Sequence, residues 1–212
     1  MILVIVVLVL AGLAVVGDRV AAAYAERRIA SEIQKEGFGA RPDVTIYGFP
    51  FLTQVLHRHF PHGHLTAHHV REGPLTISTI DGDAHDVRVD SGFRSGTIGS
   101  VDGTATVSFG DLTKAAGEPD LSLTAAGPDT VKAKVDLEVA TATATAKVTK
   151  VGDGIRVHAV SVEGFPLSDL GDDLDFTVPV TGLPMGLSFK SLKVSSKGIA
   201  LRITGSHLKF SD

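Results

Sequence analysis

The chain has 212 residues, no cysteine, no tryptophan and a formal net charge of −4, with its basic residues scattered along its length. That length suits one domain with a substantial core, or one domain plus a membrane segment. The weak, dispersed charge excludes a nucleic-acid binder, and the lack of cysteine excludes a disulfide framework, a thiolate metal site and a cysteine nucleophile.

Residues Ile2 to Val16 are all apolar or glycine, and the run stops at Gly17-Asp18-Arg19. This is a membrane or export element. Extended by Val20-Ala21-Ala22-Ala23 it fits an uncleaved anchor, and Ala21-Ala22-Ala23 equally offers a signal-peptide cleavage site. The positively charged stretch expected ahead of such a run is missing, which points to a true start upstream of Met1. Residues 1–17 are therefore read as anchor or signal segment, and residues 18–212 as one α+β domain.

From Asp18 to Glu36 the spacing predicts a helix, with Ala22, Ala25, Ile29 and Ile33 on one face, opposite Glu26, Arg27 and Glu32. Gly37 and Gly39 end it. With the apolar run retained, one long helix leaves the membrane and lays its lower half on the domain.

After Pro42 the pattern changes to period two. Val44-Ile46, Leu75-Ile77, Val87-Val89, Val131 to Val139, Ile155-Val157, Leu192-Val194 and Ile199 to Ile203 alternate with polar residues, as strands of an antiparallel sheet with one wet face do. Turns are expected at Asp81-Gly82, Asp102-Gly103, Gly152-Asp153-Gly154 and Lys197-Gly198. Thr141 to Thr149 reads as a strand whose small apolar face leaves space above the sheet. One helical turn is expected over Asp111 to Ala116, capped by Asp111 and ended by Gly117.

Two segments share the form V-x-[IV]-x-G-F-P-[FL], one from Val44 to Phe51 and one from Val160 to Leu167. Proline cannot extend a ladder and suits the opening of a helical turn, so each reads as a strand-to-helix corner. Phe51, Leu52, Val55 and Leu56 make the apolar face after the first corner, with Phe49, Phe51 and Leu52 turned inward. Leu167, Leu170 and Leu174 make the face after the second. A third apolar cluster runs from Val178 to Leu187, where prolines and glycines are expected to keep the chain irregular, as in segments that line ligand cavities.

In Gly48-Phe49-Pro50-Phe51-Leu52-Thr53-Gln54, and in the run from Gly182-Leu183-Pro184-Met185-Gly186-Leu187 through Lys193-Val194, Gly198-Ile199 and Gly205, the chain resembles the LmeA-like phospholipid-binding proteins of the actinobacterial cell envelope. The resemblance implies a tubular lipid-binding-like α+β fold, in which a long N-terminal helix packs in a strongly curved, largely antiparallel sheet and the gap holds acyl chains. It also implies phospholipid and membrane as partners, no cofactor, and a role in envelope lipid or lipoglycan (mannan) metabolism. An acyl chain needs a long apolar slot and few polar groups, and no catalytic constellation. The candidate lining residues are Phe49, Phe51, Leu52, Val55, Phe165, Leu167, Leu183, Met185 and Leu187.

Five basic residues and no acidic one fall between Lys190 and Lys209. They read either as lysines protecting a sheet edge or as a headgroup-recognising patch centred on Lys190, Lys193 and Lys197. Six of the nine histidines lie between His57 and His69, where Pro61 and Gly63 suggest a turn and no carboxylate falls inside the cluster. No metal site is assigned there; a pH-dependent surface charge fits better. The acids at Asp81, Asp83 and Asp86, and at Asp169, Asp172, Asp173 and Asp175, lack calcium-loop spacing and read as solvated turns. No serine sits in a G-x-S-x-G elbow. Beside the leading reading, a lipid binder, stand two others: a structural or assembly module of the envelope, and a metal-dependent envelope enzyme using the histidine cluster.

Overall fold

A computed structural model describes residues 2–35, 40–72, 75–137, 140–163, 175–180 and 187–211. The apolar run and the amphipathic stretch after it form one helix, α1 (Ile2–Lys35). By length and composition α1 is able to cross a membrane, and almost none of its apolar window is buried against the rest of the chain.

The lower half of α1 packs on strand β1 (Asp43–Tyr47) and on the short helix α2 (Phe51–His57). Its buried positions are Asp18, Ala22 and Ala30, four or eight residues apart, with half-buried Glu26 on the same line. This stripe is rotated from the one expected, since Ile29 is exposed and Glu26 turned in. The reason lies in the partner. β1 is the edge strand of its sheet and presents unpaired amides, so small residues allow close approach and Glu26 Oε1 accepts from Ile46 N–H at 2.8 Å.

Six strands, β1, β2 (His59–Glu72), β3 (Leu75–Val89), β4 (Ser95–Val107), β11 (Gly198–Ser211) and β10 (Ser188–Ser195), form an antiparallel sheet in that order. A meander of β5 (Leu121–Ala125), β6 (Thr130–Leu137), β7 (Ala140–Val151), β8 (Gly154–Val162) and β9 (Phe176–Pro179) forms the second sheet. The fold is α+β, with an N-terminal helix and a sheet curled into a half-barrel.

Leu75-Ile77 and Val87-Val89 prove to be the two ends of one strand, β3. The expected turns at Asp81-Gly82 and Asp102-Gly103 lie inside β3 and β4, where Gly82 and Gly103 are cross-strand partners. A Cβ on Gly103 would stand 2.9 Å from Asp81 O and 3.1 Å from Gly82 Cα. These glycines let neighbouring backbones crowd together where the long strands curl, a use of glycine distinct from turning. Gly152-Asp153-Gly154 and Lys197-Gly198 are turns as expected.

Helix α3 (Phe109–Ala116) starts two residues before the expected turn, because Ser108 rather than Asp111 is the cap. Asp111 N–H donates to Ser108 Oγ at 3.1 Å, and Ser108 Oγ donates back to Asp111 Oδ2 at 2.6 Å, a reciprocal pairing of cap and first turn. Gly117, with φ +84°, ends the helix. Leu112 from α3 joins a continuous core drawn from both sheets, among them Leu75, Ile77, Val107, Val131, Val148, Ile155, Ile199 and Leu201. The small face of β7 is covered in this core: Ala144, Ala146 and Val148 are buried.

The expected irregular stretch from Val178 is partly a strand. Val178 pairs with Ile155 and Pro179 with Gly154 at the end of β9, an edge strand where the missing proline N–H is tolerated.

Candidate functional site

At the first Gly-Phe-Pro corner, β1 ends at Tyr47 and Gly48 takes φ +108°, a conformation that favours glycine. A Cβ there would also lie 2.6 Å from Gln54 Nε2, which donates to Tyr47 O at 3.2 Å. Pro50 precedes α2 in extended conformation, and no side chain of its own caps the helix.

The cap arrives from α1. Asp18, 3% exposed, accepts from Phe51 N–H and Leu52 N–H, each at 2.9 Å. Arg19 Nη2 donates to Asp18 Oδ2 at 2.7 Å and to Gly48 O at 3.0 Å, and its guanidinium lies 5.3 Å from the Phe49 ring centroid. Two adjacent residues at the end of the apolar run thus fasten α1 to the corner.

Helix α2 sits on β2 and α1 and fully buries only Phe51. Phe51 is 5% exposed, its ring centroid 6.2 Å from that of Phe60, and Val55 one turn on is half-buried. Leu52 and Leu56 project from the other side, 49% and 81% exposed, and Phe49 is 61% exposed. The inward turn expected of Phe49, Phe51 and Leu52 is made by Phe51 alone. A seven-residue helix seated on one side buries a narrower stripe than its apolar face, and the surplus is left outside.

Leu187 is half-buried against the core. Strand β8 ends at Val162, and the second Gly-Phe-Pro step that follows it lies outside the described residues. Phe165, Leu167, Leu183 and Met185 lie outside the described residues, as do Leu170, Leu174, Asp169, Asp172 and Asp173. Lys190 and Lys193 project from β10, an edge strand, and Lys197 from the β10–β11 turn; all three are exposed. On the same strand Phe189 and Val194 face the core.

The histidine cluster is not a turn. His59 to Glu72 form β2, and its pairing with β3 brings in the carboxylates that its own segment lacks. His59 donates to Asp86 at 2.7 Å, His62 to Asp83 Oδ1 at 2.7 Å and His64 to the same oxygen at 3.1 Å. His62 stacks between Tyr47 and His85, with ring centroids 4.5 and 4.7 Å away. Hydrogen bonds from His62 and His64 hold the Asp83 carboxyl below its ordinary range, and Arg88 with His59 does the same for Asp86. Among the described residues no three or more His, Asp or Glu side chains converge as a metal site.

Asp175 likewise is no solvated turn. Burial alone would raise its pKa, but His158 at 2.6 Å, Arg156 at 2.9 Å and Ala159 N–H at 3.1 Å together lower it.

Reading the sequence locally missed Asp18 as a structural hub. Its signal was a lone acid closing a long apolar run, with a helix start lacking its own cap 33 residues away.

A family model described as LmeA-like phospholipid-binding matches residues 16–204. No curated protein and no solved structure matches the chain.

Proposed function

Because this chain belongs to the LmeA-like phospholipid-binding family, we propose that it is a non-enzymatic phospholipid binder or carrier. It is held by α1 at the outer face of the cytoplasmic membrane and serves envelope lipid or lipoglycan (mannan) metabolism. The family match over residues 16–204 is the observation that carries this reading.

Supporting it are α1, long and apolar enough for an anchor, and a core between two sheets built almost wholly from aliphatic side chains. Each acyl methylene moved from water into such surroundings contributes about 0.8 kcal/mol, so a chain of ordinary length needs few polar contacts. Residues 18–212 form the lipid-binding domain in this reading. Leu187, packed against that core, and Phe51 and Val55, on the side of α2 turned to β2 and α1, are its lining candidates, together with Phe165, Leu167, Leu183 and Met185. Lys190, Lys193 and Lys197 recognise headgroup phosphate.

An anchor fits better than a cleaved signal, because removal at Ala21-Ala22-Ala23 would take away Asp18, which caps α2, and Ala22, which is buried on the domain.

The test is native mass spectrometry and lipid extraction on residues 16–212, which keep the Asp18 contacts. Reproducibly co-purifying phospholipid supports the carrier, and a lipid-free protein that binds no liposomes sinks it. Charge reversal at Lys190, Lys193 and Lys197 is expected to reduce the phospholipid that co-purifies.

A further inference from the structure

Among the described residues outside α1, seven large apolar side chains are well exposed: Tyr47, Phe49, Leu52, Leu56, Phe93, Val151 and Val160. Single exposed apolar residues need no explanation, but clustering does. Five of these seven, from Tyr47 to Phe93, fall at one end of the six-stranded sheet.

The topology places them there. β1 ends at Tyr47, β2 begins at His59, β3 ends at Val89 and β4 begins at Ser95. Tyr47 pairs with His62, Arg88 pairs with His59, and Val89 N–H donates to Arg58 O at 3.1 Å. Helix α2 and the turn bearing Phe93 therefore cap the same end.

That end is level with one point on α1. Asp18 and Arg19 bind Phe51, Leu52 and Gly48, and these are the two residues at which the apolar run stops. The helix before them is exposed along its length. If the apolar run lies in a bilayer, as the proposed function holds, the headgroup boundary falls where the run gives way to charge. The corner is tied to the helix at that same depth.

The charges agree with this placement. Arg19, Arg58 and Arg94 stand exposed around the apolar side chains, the arrangement that suits anionic headgroups above an acyl layer. Asp90, the acid in the Phe93 turn, is engaged within the turn by Gly92 N–H, Arg94 N–H and Ser95 Oγ.

We infer that this end of the sheet is a membrane-docking rim: Phe49, Leu52 and Leu56 dip into the bilayer interface, and the Asp18–Arg19 latch makes α1 and the domain one rigid seat. The inference rests on α1 lying in a bilayer, and not on lipid being carried inside the domain. It gives the outward side of the Gly-Phe-Pro corner a role apart from lining a slot.

Because the chain has no cysteine, single labels are clean. The full chain carrying L56C, or D153C on the β7–β8 turn as reference, is labelled with the environment-sensitive fluorophore NBD. It is reconstituted into vesicles of phosphatidylglycerol and phosphatidylethanolamine, with and without shallow doxyl-labelled lipid. The Leu56 site is expected to be blue-shifted and at least about twofold more strongly quenched than the Asp153 site. Equal quenching at the two sites overturns the rim. A blue shift without quenching overturns it too, since the corner would then be covered by protein rather than lipid. Asp18→Ala in the L56C background is expected to bring quenching toward the reference value with the sheet's circular dichroism unchanged; undiminished quenching would overturn the latch. Lipid extraction from residues 16–212 reports separately, so a quenched Leu56 label with a lipid-free domain would sink the carrier and leave the rim.

Discussion

The Asp18 corner and the histidine ladder of β2 and β3 both rest on aspartates, but they use them in opposite ways. Asp18 is buried and joins elements distant in sequence, taking two backbone amides of α2 while holding Arg19. Asp83 stands on the wet face between neighbouring strands and takes imidazole donors already brought close by register. A buried carboxylate that satisfies helix-end amides is hard to replace, whereas an exposed pair formed on top of an existing ladder adds little.

Four changes would break or sharpen that contrast, each read by denaturant or thermal unfolding of residues 16–212. Phe51→Ala removes the one aromatic of the corner that is truly inside, and is expected to cost about 3 kcal/mol. Asp18→Ala leaves Phe51 and Leu52 amides without an acceptor and is expected to lower Tm by several degrees, more than any single substitution in the ladder. A loss no larger than that of Asp83→Asn would erase the distinction.

Asp83→Asn is expected to cost only a little at neutral pH, and that small difference from wild type should shrink in acid. The folded Asp83 pKa is lowered from the ordinary 3.8. The group therefore contributes stability above that value, and the contribution is lost as pH falls through the lower folded pKa. Wild-type stability should accordingly drop more steeply than the variant's on acidification below about pH 4; parallel curves would contradict this. Leu56→Ala, on the outer side of the same helix as Phe51, is expected to change stability by no more than about 0.5 kcal/mol, while reducing membrane contact of the rim.

Much of the fold is legible in local patterns. Alternation marks the positions of β1, β6, β8, β10 and β11, the uninterrupted apolar run marks the upper half of α1, and Gly48-Phe49-Pro50 marks the end of a strand. Errors arise where a residue answers to a distant partner. Gly82 and Gly103 look like turns because their sequence neighbourhood is that of turns, yet each exists for the other across the sheet. Ile29 looks like a core residue on its helix, but the edge of β1 selects Ala30 and Glu26 instead. The histidines have no acids beside them in sequence, and acquire Asp81, Asp83 and Asp86 through strand pairing.

By itself the sequence determined the chemistry available at each position: a membrane-length apolar helix, long alternating strands, a corner that proline and glycine force, and a family likeness in GFPFLTQ. Backbone preference and periodicity act over a few residues, so they can be read from one chain segment at a time. Only the tertiary structure decided which side of the corner faces in. Phe51 and Leu52 are adjacent and similarly apolar, and what separates them is the position of α1, β2 and the Asp18 carboxylate around a helix of two turns.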